Sequence, residues 1–283
     1  MKIVPVLLLT TLGFICGAEE KAFAPQSFYV SGGDLKVRFD ARKFYTMNRI
    51  EYKGKLLGVD NTGSHYGTVF SFSGVGFIGT GHIENEKENL KSLDAWSNGK
   101  KIALENLKNN EEIKSTDFKL VRKSEIKGIE ISNTIEIKDN VIYEEVELSP
   151  KEDIKIAFVY NFMHPWTTEM DRFAAETSDG KREEGIFVGD GKFRVNKDFN
   201  WAAFYSAPLK MGTVLRRIEN SSPGKSIIML WDKPPSYRKF YFKSSPNETL
   251  KKGAVYKLCL KTGFFECQPE EWLSAVEKTA VKE

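Results

Sequence analysis

The chain has 283 residues, enough to bury a sizeable core, and carries 42 basic and 39 acidic side chains for a net charge of +3. That balance excludes a binder of nucleic acid or other polyanions working by bulk charge. Twenty Phe, ten Tyr and five Trp in an otherwise polar chain favour strands over a helical bundle.

The N-terminus combines Lys2, an apolar run over 3–15 and the small-residue ending Cys16-Gly17-Ala18. This predicts a secretory signal peptide over 1–18, cleaved after Ala18, and an exported mature chain over 19–283. Lipid attachment at Cys16 fits poorly, because the bulky pair Phe14-Ile15 precedes it. The rest of the sequence has no long apolar run, so no membrane partner is expected once the signal is removed.

Residues 27–31 and 34–40 alternate around Gly32-Gly33 and predict a hairpin, and residues 48–52 and 56–59 predict a second. Residues 61–81 are rich in glycine around the short strand 69–72. Gly74 to Gly79 spells the dinucleotide fingerprint, but no helix pattern follows it, so a nucleotide site is rejected. Asn98-Gly99 predicts a hairpin turn, and 106–116 reads as a polar loop or short helix. Residues 118–126, 129–138 and 141–148 predict an antiparallel meander. There Ile129, Ile131, Ile135 and Ile137 alternate with polar residues, as one buried face requires.

Residues 154–166 read as a strand buried on both faces that stops at Pro165, placing Asn161, His164 and Trp166 at a sheet edge. The polar stretch 167–200 follows as the rim of a site, with short strands at 185–188 and 192–195. Further strands are expected at 201–207, 212–218, 226–231, 238–243 and 254–260, and one helix at 270–281. No repeat or low-complexity linker divides 19–283, which predicts a single domain. Cys259 and Cys267 flank Lys261-Thr262-Gly263, which looks like a hairpin turn, so a local disulfide is expected.

This order of elements resembles the galactose mutarotase-like family. The resemblance is carried by the hairpin from Arg49 to Leu57, the meander, and the strand Phe-Val-Tyr-Asn-Phe-Met-His ending at His164. It implies an all-β, large antiparallel β-sandwich (supersandwich) with a short C-terminal helix, a carbohydrate ligand and no cofactor. In such a family a mid-chain strand ends in a site histidine, which His164 matches. Sugar anomer exchange needs one group to protonate the ring oxygen and another to take the hydroxyl proton, roles suited to imidazole and carboxylate.

His164 is then the candidate acid, with Glu84, Glu86 or Glu176 as the base. Trp166 and Tyr66 offer stacking surfaces, and His65, His82, Asn161 and Arg172 complete the candidate substrate-binding set. Phe77 and Trp96 read as core. An equally open reading has His164 capping its strand through backbone or Asn161. His65, His82, Glu84 and Glu86 match no zinc spacing, so no metal is expected. A Gly-x-Ser-x-Gly elbow is missing, which argues against a nucleophilic hydrolase. A non-catalytic glycan-binding module and a polysaccharide lyase using Tyr66, His82 and Arg172 stand as alternatives.

Overall fold

A computed structural model of the chain describes residues 23–59 and 66–281. The expected signal segment and His65 lie outside the described residues. The N-terminal part supplies β1 (Ser27–Gly32), β2 (Leu35–Asp40), β3 (Thr46–Tyr52), β4 (Lys55–Val59), β5 (Val69–Phe72) and β6 (Gly76–Gly79). Then come β7 (Asn89–Ser97), β8 (Lys100–Ile102), β9 (Glu111–Lys114) and the expected meander of β10 (Asp117–Ile126), β11 (Ile129–Lys138) and β12 (Val141–Pro150).

The second half holds β13 (Ile154–Lys155), β14 (Phe158–Trp166), β15 (Arg172–Thr177), β16 (Arg182–Ile186), β17 (Phe193–Lys197) and β18 (Phe199–Ser206). It closes with β19 (Met211–Asn220), β20 (Ser226–Lys233), β21 (Tyr237–Ser244), β22 (Thr249–Leu250), β23 (Tyr256–Glu266) and the helix α1 (Trp272–Val281).

The larger sheet has the order β17-β20-β21-β14-β4-β3-β2-β1-β9, with β5 also pairing β14 and β6. The second has the order β16-β15-β18-β19-β23-β12-β11-β10-β7-β8. This is the expected all-β sandwich. Period-two alternation turns Phe39, Tyr52, Trp166 and Phe242 of the first sheet toward Phe118, Phe264, Phe204 and Phe199 on or beside the second, with ring centroids 5.3 to 6.3 Å apart. Asn98 and Gly99 both have positive φ, the requirement of the tight turn between β7 and β8. On the outer face of the second sheet α1 lays Trp272, Val276 and Ala280 against Trp201, Tyr205 and Phe265.

Four expectations need correction. Residues 154–166 are not one strand: β13 pairs with β22 in a separate ribbon, and β14 starts at Phe158. Nor does β14 stop at an edge, since it lies between β21 on one side and β4 and β5 on the other. Pro165 is tolerated because the ladder on the β4 and β5 side is interrupted between Tyr160 and Trp166. The Pro165 carbonyl accepts the Tyr66 hydroxyl at 3.2 Å. In an antiparallel strand a residue's N and C=O point the same way, so the missing N–H of Pro165 also faces that gap.

The stretch read as a polar loop contains β9, which pairs parallel with β1. The disulfide is also overturned: Cys259 and Cys267 are free thiols. No turn separates them, because β23 runs unbroken through Lys261, Thr262 and Gly263. Eight residues of extended strand span roughly 26 Å, far beyond the reach of one bridge. Gly263 serves the helix instead, since a Cβ there would meet Thr279 Cγ2 at 2.7 Å.

Candidate functional site

The structure brings three of the sequence candidates together, but inside the sandwich. His164 is 0% exposed, with its ring 5.5 Å from Tyr66, 5.8 Å from Trp166 and 6.1 Å from Phe240, centroid to centroid. Its Nε2 lies 2.6 Å from Oε2 of Glu144, which β12 sends inward from the opposite sheet. That contact is close but off the direction a ring N–H takes, so it is a polar pairing rather than an aligned hydrogen bond.

Trp166 is likewise fully buried, and Tyr66 nearly so. Asn161 is sealed too, its amide donating to Ser244 Oγ at 2.9 Å. His164, Trp166 and Tyr66 therefore form a core contact and Asn161 is enclosed within its own sheet, all closed to any sugar. The physical reason is parity. Phe162, His164 and Trp166 share one side of β14, and Phe162 and Trp166 belong to the main hydrophobic core.

The carboxylates are dispersed. Glu176 and Arg172 sit on β15 with Ala174 between them, and Ala174 belongs to the cluster under α1. Both thus face outward on the second sheet, away from β14. Glu176 accepts from Asn200 Nδ2 at 2.8 Å. Arg172 lies over the Tyr205 ring and donates to the Pro269 carbonyl at 3.3 Å, anchoring the approach to α1. Neither can serve a site shared with His164.

His82 and Glu84 stay together, with Nδ1 and Oε2 3.8 Å apart. His82 is buried in the turn after β6, whereas Glu84 is solvated. Burial, then the nearby charges of Lys239 and Lys43, push the His82 pKa down to about 3, so its imidazole is neutral near pH 7. Among the described residues no group of three or more His, Cys, Asp or Glu converges as metal ligands would.

The opposite side of β14 carries a separate cluster, buried at its centre and exposed at its ends. Val69, Met163 and Tyr241 form a cluster of their own there, joined by Tyr160, Met229 and Trp231. Ring contacts extend it in both directions. Phe193 stacks on Trp231 at 5.3 Å, Tyr241 meets Tyr160 at 4.8 Å, Tyr160 meets Phe158 at 5.0 Å, and Phe77 stacks on Tyr160 at 6.1 Å. Phe77 and Phe193 end the row at 38% and 48% exposed, so Phe77 is not the core residue the sequence suggests. Lysines of β20 and β21 lie over these rings. The Nζ of Lys243 is 4.1 Å from the Phe158 centroid, that of Lys233 4.8 Å from Trp231, and that of Lys239 4.9 Å from Tyr241. Burial raises the pKa of Tyr160 and of Tyr241, so both hydroxyls keep their protons.

No family model matches the sequence, and no curated protein sequence matches it. Solved structures do match in fold. A protein from Synechocystis sp. PCC 6803 aligns with a TM-score of 0.57 at 7% identity, covering 86% of this chain and 96% of that one. A candidate aldose 1-epimerase from Escherichia coli aligns with a TM-score of 0.51 at 10% identity, over 85% of this chain and 99% of its own. A galactose mutarotase-like protein from Lactobacillus casei gives 0.51 at 9% identity, over 84% and 100%. The chain has the galactose mutarotase-like fold. Coverage of 84–86% of this chain and of nearly all of those chains means that the fold is shared over most of the chain, while identities of this size carry no residue assignments.

Proposed function

We propose that this mutarotase-like protein binds carbohydrate, or acts on it, on the outer face of the larger sheet. The unbroken row of rings from Phe77 through Phe158, Tyr160, Tyr241 and Trp231 to Phe193 carries the reading. A pyranose has one apolar C–H face that stacks on such rings and a rim of hydroxyls that Tyr and Lys groups at their edges can reach. The Escherichia coli structure, described as a candidate aldose 1-epimerase, and the Lactobacillus casei one, described as galactose mutarotase-like, support the same ligand class. Calorimetric titration with a panel of oligosaccharides tests the reading. Binding that is lost in Trp231→Ala and Phe193→Ala is expected, and binding unchanged in both refutes it.

Anomer exchange is the second reading, favoured by a neutral imidazole held close to a cation; His82 and Lys239 are 6% and 2% exposed, so a sugar reaches them only if the side chains over them move aside. His82 takes the proton of the anomeric hydroxyl, Lys239 protonates the ring oxygen, and the ring opens and recloses on either face, returning both protons. Glu84, near Nδ1, orients the imidazole. Polarimetry of a freshly dissolved aldose should then show exchange above the buffer rate that His82→Asn removes. We further propose export, on the N-terminal pattern of residues 1–18. Mass measurement of secreted protein should give a chain starting at Glu19.

A further inference from the structure

We propose that the carbohydrate taken by this face is acidic, bearing carboxylate or sulfate groups, an inference that rests on the binding reading above. Strands β20 and β21 place Trp231, Lys233, Tyr237, Lys239, Tyr241 and Lys243 on the side away from the main core, alternating ring and ammonium; Tyr237, Lys239 and Tyr241 are buried there, while Trp231, Lys233 and Lys243 reach solvent. Neither strand offers a carboxylate beside them. The one acidic residue of the pair, Asp232, points inward, fully buried, with Oδ1 2.7 Å from Arg238 Nη1. Strand β14, which supplies Phe158 and Tyr160, contains no Asp or Glu at all.

Some lysines elsewhere on the molecule are met by acids, as Lys36 is by Glu112, Lys119 by Glu136 and Lys257 by Glu145. Among the described residues Lys233 and Lys243 have no such partner within 4.0 Å, and rings hold their heads instead.

This composition decides the ligand chemistry. A hydroxyl both donates and accepts, so a site for a neutral sugar pairs its donors with carboxylates or amides. An ammonium only donates. A face of rings and ammonium groups therefore satisfies a ligand that brings acceptor-only anions at its rim and a C–H face at its centre. Rings and lysines also suit single-stranded nucleic acid, but two solvated lysines on a chain of net charge +3 make a small counterion-release term. A short acidic glycan is the better match.

The full chain without its signal is titrated calorimetrically with a uronic-acid oligosaccharide, a sulfated one and a neutral one of equal length, at low and at physiological salt. An acidic oligosaccharide is expected to bind at least about tenfold more tightly than the neutral one, as one or two charge-assisted contacts would give. The advantage should shrink with salt in the unmodified protein and close in a K233Q/K243Q variant, whose two side chains are at least partly solvated. Which acidic arm leads identifies the anion. Equal affinity for the neutral sugar, an acidic advantage that persists in K233Q/K243Q, or tighter binding of an oligothymidylate overturns the inference while leaving a ligand face in place. If no oligosaccharide binds, the carbohydrate reading itself fails.

Discussion

Replacing His164 by Leu tests whether the imidazole belongs to the core or to the chemistry. The substitution leaves Glu144 enclosed at 3% exposure, facing Tyr66, Trp166 and Phe240 where its partner stood. Removing one member of a buried polar pair costs about 3–5 kcal/mol, chiefly the desolvation of the stranded group. For a chain of this size about 2–4 °C of melting temperature accompanies each kcal/mol, so a fall of about 6–20 °C is expected. Glu144→Leu alone strands His164 and should cost a similar amount. The double replacement fills the same space with apolar atoms and should return to within about 2 kcal/mol of the natural protein. Thermal melts and urea titrations followed by near-ultraviolet circular dichroism measure all four corners of the cycle. A double variant that loses the sum of the two single effects would refute the coupling. A His164→Leu protein with an unchanged melting temperature and no anomer exchange would place the histidine in the site after all.

His82 makes stability depend on acidity. Its folded pKa, about 3, lies below the ordinary value of 6.5, so between those values the unfolded chain binds the extra proton and stability falls as pH drops through the window. Up to about 1.4 kcal/mol per pH unit of that slope should disappear in His82→Gln, measured by urea titration at pH 4 to 7. Both cysteines should titrate as free thiols under non-reducing, denaturing conditions, and Cys259 should alkylate slowly in the native protein because burial, then the Glu145 carboxylate, pushes its pKa up to about 12. Arg122→Met should cost about 3–5 kcal/mol in the same denaturation assay, since it strands Glu88, which is fully buried and bonded to the guanidinium at 2.8 Å and to the Gly81 amide at 2.8 Å.

The fold was readable wherever one face of a strand is wet. In the meander each Ile of β11 alternates with Glu, Ser, Thr or Lys, and predicted and observed ends agree to within two residues. The Asn98-Gly99 turn announced β7 and β8 because few other dipeptides accept that backbone. What failed was long-range. Gly263 looked like a turn residue because nothing nearby reveals that Thr279, sixteen positions on, lies across it. Strand β9 was missed for the same reason, as Glu-Glu-Ile-Lys becomes a strand only by pairing with β1 some eighty residues earlier.

His164 lies inside the sandwich rather than at an open edge for a narrower reason, which lies in how two side chains tolerate burial. Reading β14 as apolar throughout hid the fact that His164 shares its parity with Phe162 and Trp166, and that pair decides which way the imidazole points. A histidine is a poor marker of a face, because the ring can sit inside a core against a single polar partner. A lysine is a good one, because its ammonium is rarely buried and its stem lies along apolar surface with the head kept outside. In Tyr-Arg-Lys-Phe-Tyr-Phe-Lys of β21 the two lysines fall on the parity of both tyrosines, while Phe240 and Phe242 take the other. That alternation separates Tyr237 and Tyr241 from the main core side from sequence alone, although both tyrosines and Lys239 are themselves covered and Lys243 alone of the two lysines reaches solvent. With β20 and β14 hydrogen-bonded on either side, it also fixes which of their aromatics, Trp231 and Tyr160, stand beside them on that side of the sheet.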